Sequence, residues 1–171
     1  MNLTGNIATD EKIIELRIEE GNYMKIIALK GHINSGKTST LLNFNNILEN
    51  DPNYSVSSAK QKIRNNNDFF VKFTNNVTKN EIAIYSEGDI PEAIEQAIAK
   101  FNMLQKNDIL VLACRTKGKV LKILAPYNPI YVRKSTTYYD EITQDYLNKS
   151  DAKIIHSNVK IFDIKNPIVQ G

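Results

Sequence analysis

Residues 31–38 hold two glycines, a lysine and a threonine at a spacing suited to binding a chain of phosphates: the octet reads Gly-His-Ile-Asn-Ser-Gly-Lys-Thr. Glycine at both ends lets the backbone turn sharply and approach a ligand with no Cβ in the way. Successive backbone N–H groups and the N-terminus of a following helix would then face the phosphates. The lysine would reach the β and γ phosphates, and the threonine hydroxyl would bind Mg²⁺. The residues expected to bind nucleotide are Gly31, Asn34, Ser35, Gly36, Lys37, Thr38 and Ser39.

The segments on either side of this loop support the same interpretation. Residues 23–30 form a short apolar run, which predicts a buried parallel strand that ends at the loop. Residues 38–49 carry apolar side chains mostly at helical spacing. A strand, a glycine-rich loop and a helix in this order resemble the P-loop NTPase superfamily. The resemblance implies a nucleoside triphosphate and Mg²⁺ as ligands. ATP is favoured over GTP because the matches to guanine-binding motifs, described below, lack their expected context.

The rest of the chain alternates apolar runs with helical patterns. Strands are predicted at 68–74, 81–86, 108–114 and 130–133, and helices at 91–104, 119–125 and 137–148. Residues 151–165 fit a helix or a strand. This alternation predicts an α/β fold in one domain (1–171): a P-loop NTPase-like three-layer sandwich with a largely parallel sheet.

Two segments are harder to assign. Residues 1–22 are polar, and alternating apolar residues at 14, 16 and 18 suggest an antiparallel N-terminal edge strand, with a short helix from Asp10 as the alternative. Residues 53–80 are rich in Asn, Lys and Ser and are predicted to be the least regular third of the chain. An acceptor site or a switch segment could lie there.

Ligands of parallel sheets bind at the carboxyl ends of the strands, which nominates residues just past each apolar run. Glu87 and Asp89 follow residues 81–86 and are candidates for Mg²⁺, with Asp89 as a helix N-cap in the alternative. Arg115 follows residues 108–114 and is either a phosphoryl-stabilising arginine or a surface residue. Thr116 or Lys117 could line a base or acceptor pocket. The predicted catalytic residues are Lys37, Glu87 and Arg115, and the predicted metal ligands are Thr38, Glu87 and Asp89.

Two short matches to guanine-binding motifs do not fit their expected context. Residues 148–151 read Asn-Lys-Ser-Asp but follow a helical pattern instead of a buried strand, so they are predicted to end a helix. Residues 58–60 read Ser-Ala-Lys but precede that match, which is the wrong order. His32 lies at a variable position of the octet, where it would face either solvent or a γ-phosphate.

Composition narrows the class of partner. The net charge of +3, from 22 basic and 19 acidic residues, is too small to indicate nucleic acid. No segment approaches the roughly 20 apolar residues of a membrane span. The one cysteine, Cys114, lies in an apolar run and suits a reducing cytoplasm.

These observations predict a Mg²⁺-dependent enzyme that hydrolyses ATP or transfers its γ-phosphoryl group to a small-molecule acceptor. The alternative is a nucleotide-gated switch or regulatory subunit with slow turnover. It would act through a protein partner, with residues 53–80 as the responsive segment.

Overall fold

The computed structural model describes residues 7–64, 67–137 and 139–165, so the prediction for residues 1–6 lies outside the described part. The described strands are β1 (Lys25–Lys30), β2 (Tyr54–Lys62), β3 (Phe69–Asn75), β4 (Glu81–Tyr85), β5 (Ile109–Cys114) and β6 (Ile130–Arg133). The described helices are α1 (Ile7–Glu19), α2 (Lys37–Asn50), α3 (Pro91–Lys100), α4 (Lys119–Leu124) and α5 (Glu141–Lys165), with a 3₁₀ turn at Ala125–Tyr127. None of these helices is both long enough and apolar enough to cross a membrane.

All six strands belong to one mixed sheet with the order β2-β3-β4-β5-β1-β6. The pairs β4–β5, β5–β1 and β1–β6 are parallel. The pairs β2–β3 and β3–β4 are antiparallel. The structure therefore confirms an α/β fold with a mostly parallel sheet.

Each face of the sheet packs against helices because β1, β4 and β5 are apolar on both sides. On one face, Leu41, Phe44 and Leu48 of α2 and Ala152, Ile155 and Val159 of α5 join the core. On the other face, α3 and α4 contribute Ile94, Ala97, Ile98, Val120 and Leu124. Two hydrophobic layers thus hold the sheet from both sides and fix the ends of its parallel strands.

The antiparallel part of the sheet does not lie where the sequence suggested. The N-terminal segment is a helix rather than an edge strand, and Ile14 and Ile18 pack one turn apart against the second core layer. Arg17 of the same helix donates hydrogen bonds to the main-chain carbonyls of Asn102 and Leu104. In a helix, Ile14 and Ile18 lie on the same face and Leu16 lies on another, which is exposed. In a strand, all three side chains would lie on one face.

Residues 53–80 are more regular than predicted, because β2 and β3 form a hairpin there. Most side chains of β2 are exposed, so its sequence lacks the apolar alternation by which strands are recognised. Its pairing with β3 shifts register on both sides of Ser58, as an edge strand tolerates. The Ser-Ala-Lys match at 58–60 lies within this edge strand.

The C-terminal segment is one continuous helix. The expected end of a helix at 148–151 is wrong, since these residues lie in the middle of α5. Ile142 and Tyr146, the large apolar side chains near the start of this helix, are 85% and 70% exposed. The buried face of α5 instead includes Asn148 and Asp151, and these two polar side chains concealed the apolar stripe in the sequence.

Candidate functional site

The 31–38 loop connects the end of β1 to the first residue of α2, in the order that the sequence predicted. Asn34 and Gly36 take left-handed backbone conformations, with φ of 57° and 91°. A Cβ at Gly36 would lie 2.7 Å from Asn148 Oδ1, so this position is restricted by packing as well as by φ. The backbone of the loop is therefore held in a tight curve between β1 and α5.

Lys37 folds back over the loop. Its Nζ donates hydrogen bonds to the carbonyl oxygens of Gly31, at 3.1 Å, and His32, at 2.6 Å. The same ammonium lies 3.0 Å from Asp89 Oδ1 in an ion pair. The exposed fraction of Lys37 is only 6%. Lys37 is thus a buried cation with three oxygen partners.

Thr38 contacts a carboxylate that the sequence analysis did not nominate. Its Oγ1 donates a 2.8 Å hydrogen bond to Asp68 Oδ1. The hydroxyl of Ser86 donates to the same oxygen, also at 2.8 Å, and accepts a hydrogen bond from the main-chain N–H of Phe69. Two hydroxyl groups from different elements therefore orient one oxygen of Asp68.

Sheet topology explains why Asp68 reaches this place. It directly precedes β3, which runs antiparallel to β4, so the start of β3 lies beside the end of β4. The main-chain N–H of Ser86 donates to the carbonyl of Phe69, which extends the pairing to the edge of the sheet. A signal was present in the sequence: only six residues separate the strands predicted at 68–74 and 81–86, too few for a parallel crossover.

Glu87 is 9% exposed and forms a 3.4 Å ion pair with Arg64. Its Oε2 is buried and has no hydrogen-bond partner among the described residues. Burial raises the pKa of this carboxyl, Arg64 lowers it, and the negative charges of Asp68 and Asp89 raise it further. Glu87 is therefore a carboxylate whose basicity is increased by its surroundings.

Gly88 and Asp89 follow at the end of β4. A Cβ at Gly88 would lie 1.7 Å from the carbonyl oxygen of Ala113, so only glycine lets this turn approach β5. Asp89 is not a helix N-cap, because α3 has Ile90 at that position and no side-chain cap hydrogen bond. The turn instead directs Asp89 toward Lys37.

These residues surround a cavity of about 380 Å³. Its lining consists of Asn34, Ser35, Gly36, Lys37, Thr38, Ser39, Asp68, Ser86, Gly88 and Asp89. The predicted set is brought together except for three members. Gly31 lies behind the cavity under Lys37, and Glu87 lies beside it with Arg64. Arg115 is exposed and is not part of the lining, so no contact supports its predicted role.

A second cavity, of about 580 Å³, lies on the other side of the 31–38 loop. It is lined by Lys30, Gly31, His32, Thr116, Tyr131, Arg133, Lys134 and Thr136. Thr116 therefore does line a pocket beside the loop, whereas Lys117 is not part of this lining. Lys30 lies 4.9 Å from the ring centroid of Tyr131, and three of the eight lining residues are lysine or arginine.

The back of the loop rests on a buried polar network that the sequence did not reveal. Lys134 Nζ lies 3.0 Å from Asp151 Oδ2 with both side chains at most 1% exposed, and Asp151 also accepts from the N–H and hydroxyl of Ser135. Asn148 Oδ1 accepts from Gln144 at 2.8 Å. Asn148 and Asp151 of the Asn-Lys-Ser-Asp match thus hold α5 against the loop and β6.

Among the described residues, no group of three or more His, Cys, Asp or Glu side chains has the arrangement of a metal site. Mg²⁺ needs fewer protein ligands when phosphate is present, because it is usually bound through one or two carboxylates together with phosphate oxygens and water. Thr38, Asp68 and Asp89 supply one hydroxyl and two carboxylates around one cavity. This donor set fits Mg²⁺ held jointly with a phosphate chain.

Comparisons with models of known protein families, with curated proteins and with solved structures found no match for this chain.

Proposed function

We propose that this protein binds a nucleoside triphosphate with Mg²⁺, preferring ATP to GTP, and that it hydrolyses the nucleotide or transfers its γ-phosphoryl group to a small acceptor. The observation that carries the proposal is the 380 Å³ cavity, because Lys37, Thr38 and two carboxylates converge on it from three elements. A lysine and a curved glycine-containing backbone provide positive charge for phosphates. The carboxylates provide ligands for the cation.

The cationic and acidic side chains of the site would bind different ligands. Lys37 would leave its contacts with Asp89 and the loop carbonyls and place its ammonium on the β and γ phosphates. Mg²⁺, when bound through Thr38 and the acidic residues, would neutralise developing negative charge on the phosphates. The N–H groups of 34–39 would hold the phosphate chain at the N-terminus of α2.

Glu87 is suited to accept a proton. In the proposed reaction an oxygen of water or of the acceptor forms a bond to the γ phosphorus, while the bond from this phosphorus to the β–γ bridging oxygen breaks. Glu87 lies beside the cavity, so the proton of the attacking group would pass to its carboxylate through one bridging water, and the electron pair leaves with the nucleoside diphosphate. The burial that raises the pKa of Glu87 makes this group a better base than an exposed carboxylate.

The second cavity supports the preference for adenine and leaves room for a nucleoside or an acceptor. Guanine presents an N1–H and an amino group, which typically donate hydrogen bonds to a carboxylate. The described lining of this cavity contains cationic, hydroxyl and aromatic side chains and no carboxylate. A reducing cytoplasm also fits, since Cys114 is fully buried and burial raises the pKa of its thiol to about 11.

One observation favours the alternative of a nucleotide-gated switch. The β2–β3 hairpin touches the candidate site twice, through Asp68 with Thr38 and through Arg64 with Glu87. A phosphate or cation that displaced either contact would change the energy of the hairpin. Slow turnover with a nucleotide-dependent hairpin would therefore identify a protein that acts through a partner.

Turnover and binding of Mg-ATP and Mg-GTP test the proposal. Wild type is compared with Lys37→Met and with Lys149→Met, a control that removes an exposed lysine on α5. Half of the samples receive a pool of nucleoside monophosphates and small metabolites. Circular dichroism establishes that each variant is folded, since Lys37 is buried.

We expect ATP to bind wild type and Lys149→Met alike and to bind Lys37→Met much more weakly. Turnover that rises with the pool indicates a kinase, and turnover independent of it indicates an ATPase. Binding without turnover indicates the switch. Wild type that binds neither nucleotide, or a folded Lys37→Met that binds as well as wild type, would contradict the proposed function.

A further inference from the structure

The carboxylate that touches Thr38 comes from a different strand than the superfamily resemblance led us to expect. That resemblance places an acid at the end of a neighbouring parallel strand, and the first residue after β4 is Ser86. Ser86 supplies a hydroxyl instead of a carboxylate, and Glu87 pairs with Arg64 beside the cavity. Asp68, which precedes β3, is the acid that contacts Thr38.

We propose that Asp68 is the carboxylate that holds Mg²⁺ with Thr38, directly or through one water of the cation's shell, and that Ser86 positions it. This inference rests on the proposed function. The three oxygens form a chain in which Thr38 Oγ1 and Ser86 Oγ each lie 2.8 Å from Asp68 Oδ1. Ser86 occupies the position at which the resemblance predicts an acid. Its hydroxyl instead orients the carboxylate of Asp68, which precedes the antiparallel strand β3.

Charge provides an independent argument that a cation belongs here. Three carboxylates, of Asp68, Glu87 and Asp89, lie at this end of the sheet, and those of Asp68 and Asp89 line the cavity. The Oε2 of Glu87 is buried with no hydrogen-bond partner among the described residues. A buried, unpartnered carboxylate oxygen is costly, and a nearby divalent cation would offset that cost.

The test measures the Mg²⁺ requirement of ATP binding, not catalysis. ATP affinity is determined by calorimetry in EDTA and across a Mg²⁺ titration, and bound Mn²⁺ is counted by electron paramagnetic resonance with ATP present. The variants are Asp68→Asn, Ser86→Ala and Glu87→Gln. Asparagine keeps an Oδ1 that accepts from Thr38 and Ser86, so the hydrogen-bonded geometry is retained while the charge is removed. Thermal unfolding confirms the folded state.

We expect Asp68→Asn to raise the Mg²⁺ concentration for half-maximal effect by about tenfold or more, with ATP affinity in EDTA unchanged or improved. Ser86→Ala raises this Mg²⁺ concentration less, because the carboxylate of Asp68 remains but is no longer oriented by the Ser86 hydroxyl. Glu87→Gln leaves it within about threefold of wild type, because Glu87 does not line the cavity.

The failures of the two proposals are distinguishable. Wild type that binds ATP at no Mg²⁺ concentration would overturn the proposed function and this inference with it. Wild type that binds Mg-ATP, with an Asp68→Asn variant that has the same Mg²⁺ requirement and the same Mn²⁺ affinity, would overturn only the role of Asp68. A shift seen with Glu87→Gln alone would transfer that role to Glu87.

Discussion

The ion pair between Lys37 and Asp89 leads to a quantitative prediction about nucleotide affinity. The two side chains lie 3.0 Å apart, and Lys37 is the group that we propose for the β and γ phosphates. A phosphate oxygen must therefore replace Asp89 as the anion nearest to this ammonium. We predict that Asp89→Asn binds ATP more tightly than wild type when no divalent cation is present.

The exposure of the two side chains sets the magnitude. Lys37 is 6% exposed but Asp89 is 40% exposed, so solvent screens much of their attraction. An ion pair of this kind stabilises the folded protein by about 1 kcal/mol. This is near the upper end of the values for exposed ion pairs and well below the cost of breaking a fully buried one. Removal of a competitor worth about 1 kcal/mol raises the affinity about fivefold.

Calorimetric titration of ATP in EDTA measures this change, and the same titration with Mg²⁺ asks whether Asp89 also holds the cation. If Asp89 is a metal ligand, as its sequence position suggested, the increase in affinity that Mg²⁺ produces becomes smaller in the variant. Asp145→Asn is the matched control, because it removes the same charge from an exposed ion pair with Lys149. Equal or weaker ATP binding by Asp89→Asn in EDTA would refute the competition.

Three further predictions concern stability and the choice of arginine. Gly88→Ala should lower the free energy of unfolding by about 3 kcal/mol in denaturant titrations, since its Cβ would lie 1.7 Å from a main-chain oxygen of β5; a loss below 1 kcal/mol would contradict the clash. Burial lowers the pKa of His156 from 6.5, although Asp51 opposes the shift, so stability present above that value should fall as the pH drops through the lowered pKa. A flat pH profile, indistinguishable from that of His156→Asn, would argue against this. Arg64 forms an ion pair with Glu87 beside the cavity, whereas Arg115 is exposed and lies outside the cavity lining, so Arg64→Ala should reduce phosphate release by at least about tenfold and Arg115→Ala by less than about twofold. The opposite order would support the sequence-based assignment of Arg115.

The parallel half of the sheet was predictable because its signals are local. β1, β4 and β5 are short apolar runs, and each is buried on both faces. The 31–38 loop was located by its own residue types, since glycine and lysine are required there whatever the surroundings. Positions that depend on one stretch of chain were therefore recovered with nearly their observed bounds.

The remainder depended on contacts between distant segments. Asp68 acts beside Thr38 because β3 is antiparallel to β4, a fact of topology that a search of carboxyl ends alone excludes. Lys37 is buried because Asp89 and two loop carbonyls fold around it, which no property of its own neighbours indicates. The differences in the candidate site thus came from tertiary contacts, which are strand pairing for Asp68 and side-chain contacts for Lys37, and not from the chemistry of the residue types.

Helix α5 also contains buried polar residues whose partners are distant in the sequence. Asn148 and Asp151 interrupt the apolar spacing of the helix, which made one helix look like two segments. Their partners are Gln144, Lys134 and Ser135, two of which lie beyond the helix. The hydrogen bonds of a polar residue on the buried face of a helix are made partly with other elements. Its burial therefore cannot be predicted from the sequence of the helix alone.

The balance of charge in the candidate site explains why nucleotide and cation should bind together. Lys37 and Arg64 face three carboxylates, those of Asp68, Glu87 and Asp89. A triphosphate alone would add negative charge to this excess and would have to compete with Asp89 for Lys37. A divalent cation reverses the balance, because the same carboxylates that repel the nucleotide attract the metal. In the proposed function, Asp68 and Asp89 therefore make affinity conditional on Mg²⁺, so a variant that loses either of these two carboxylates should bind metal-free nucleotide better and respond to Mg²⁺ less.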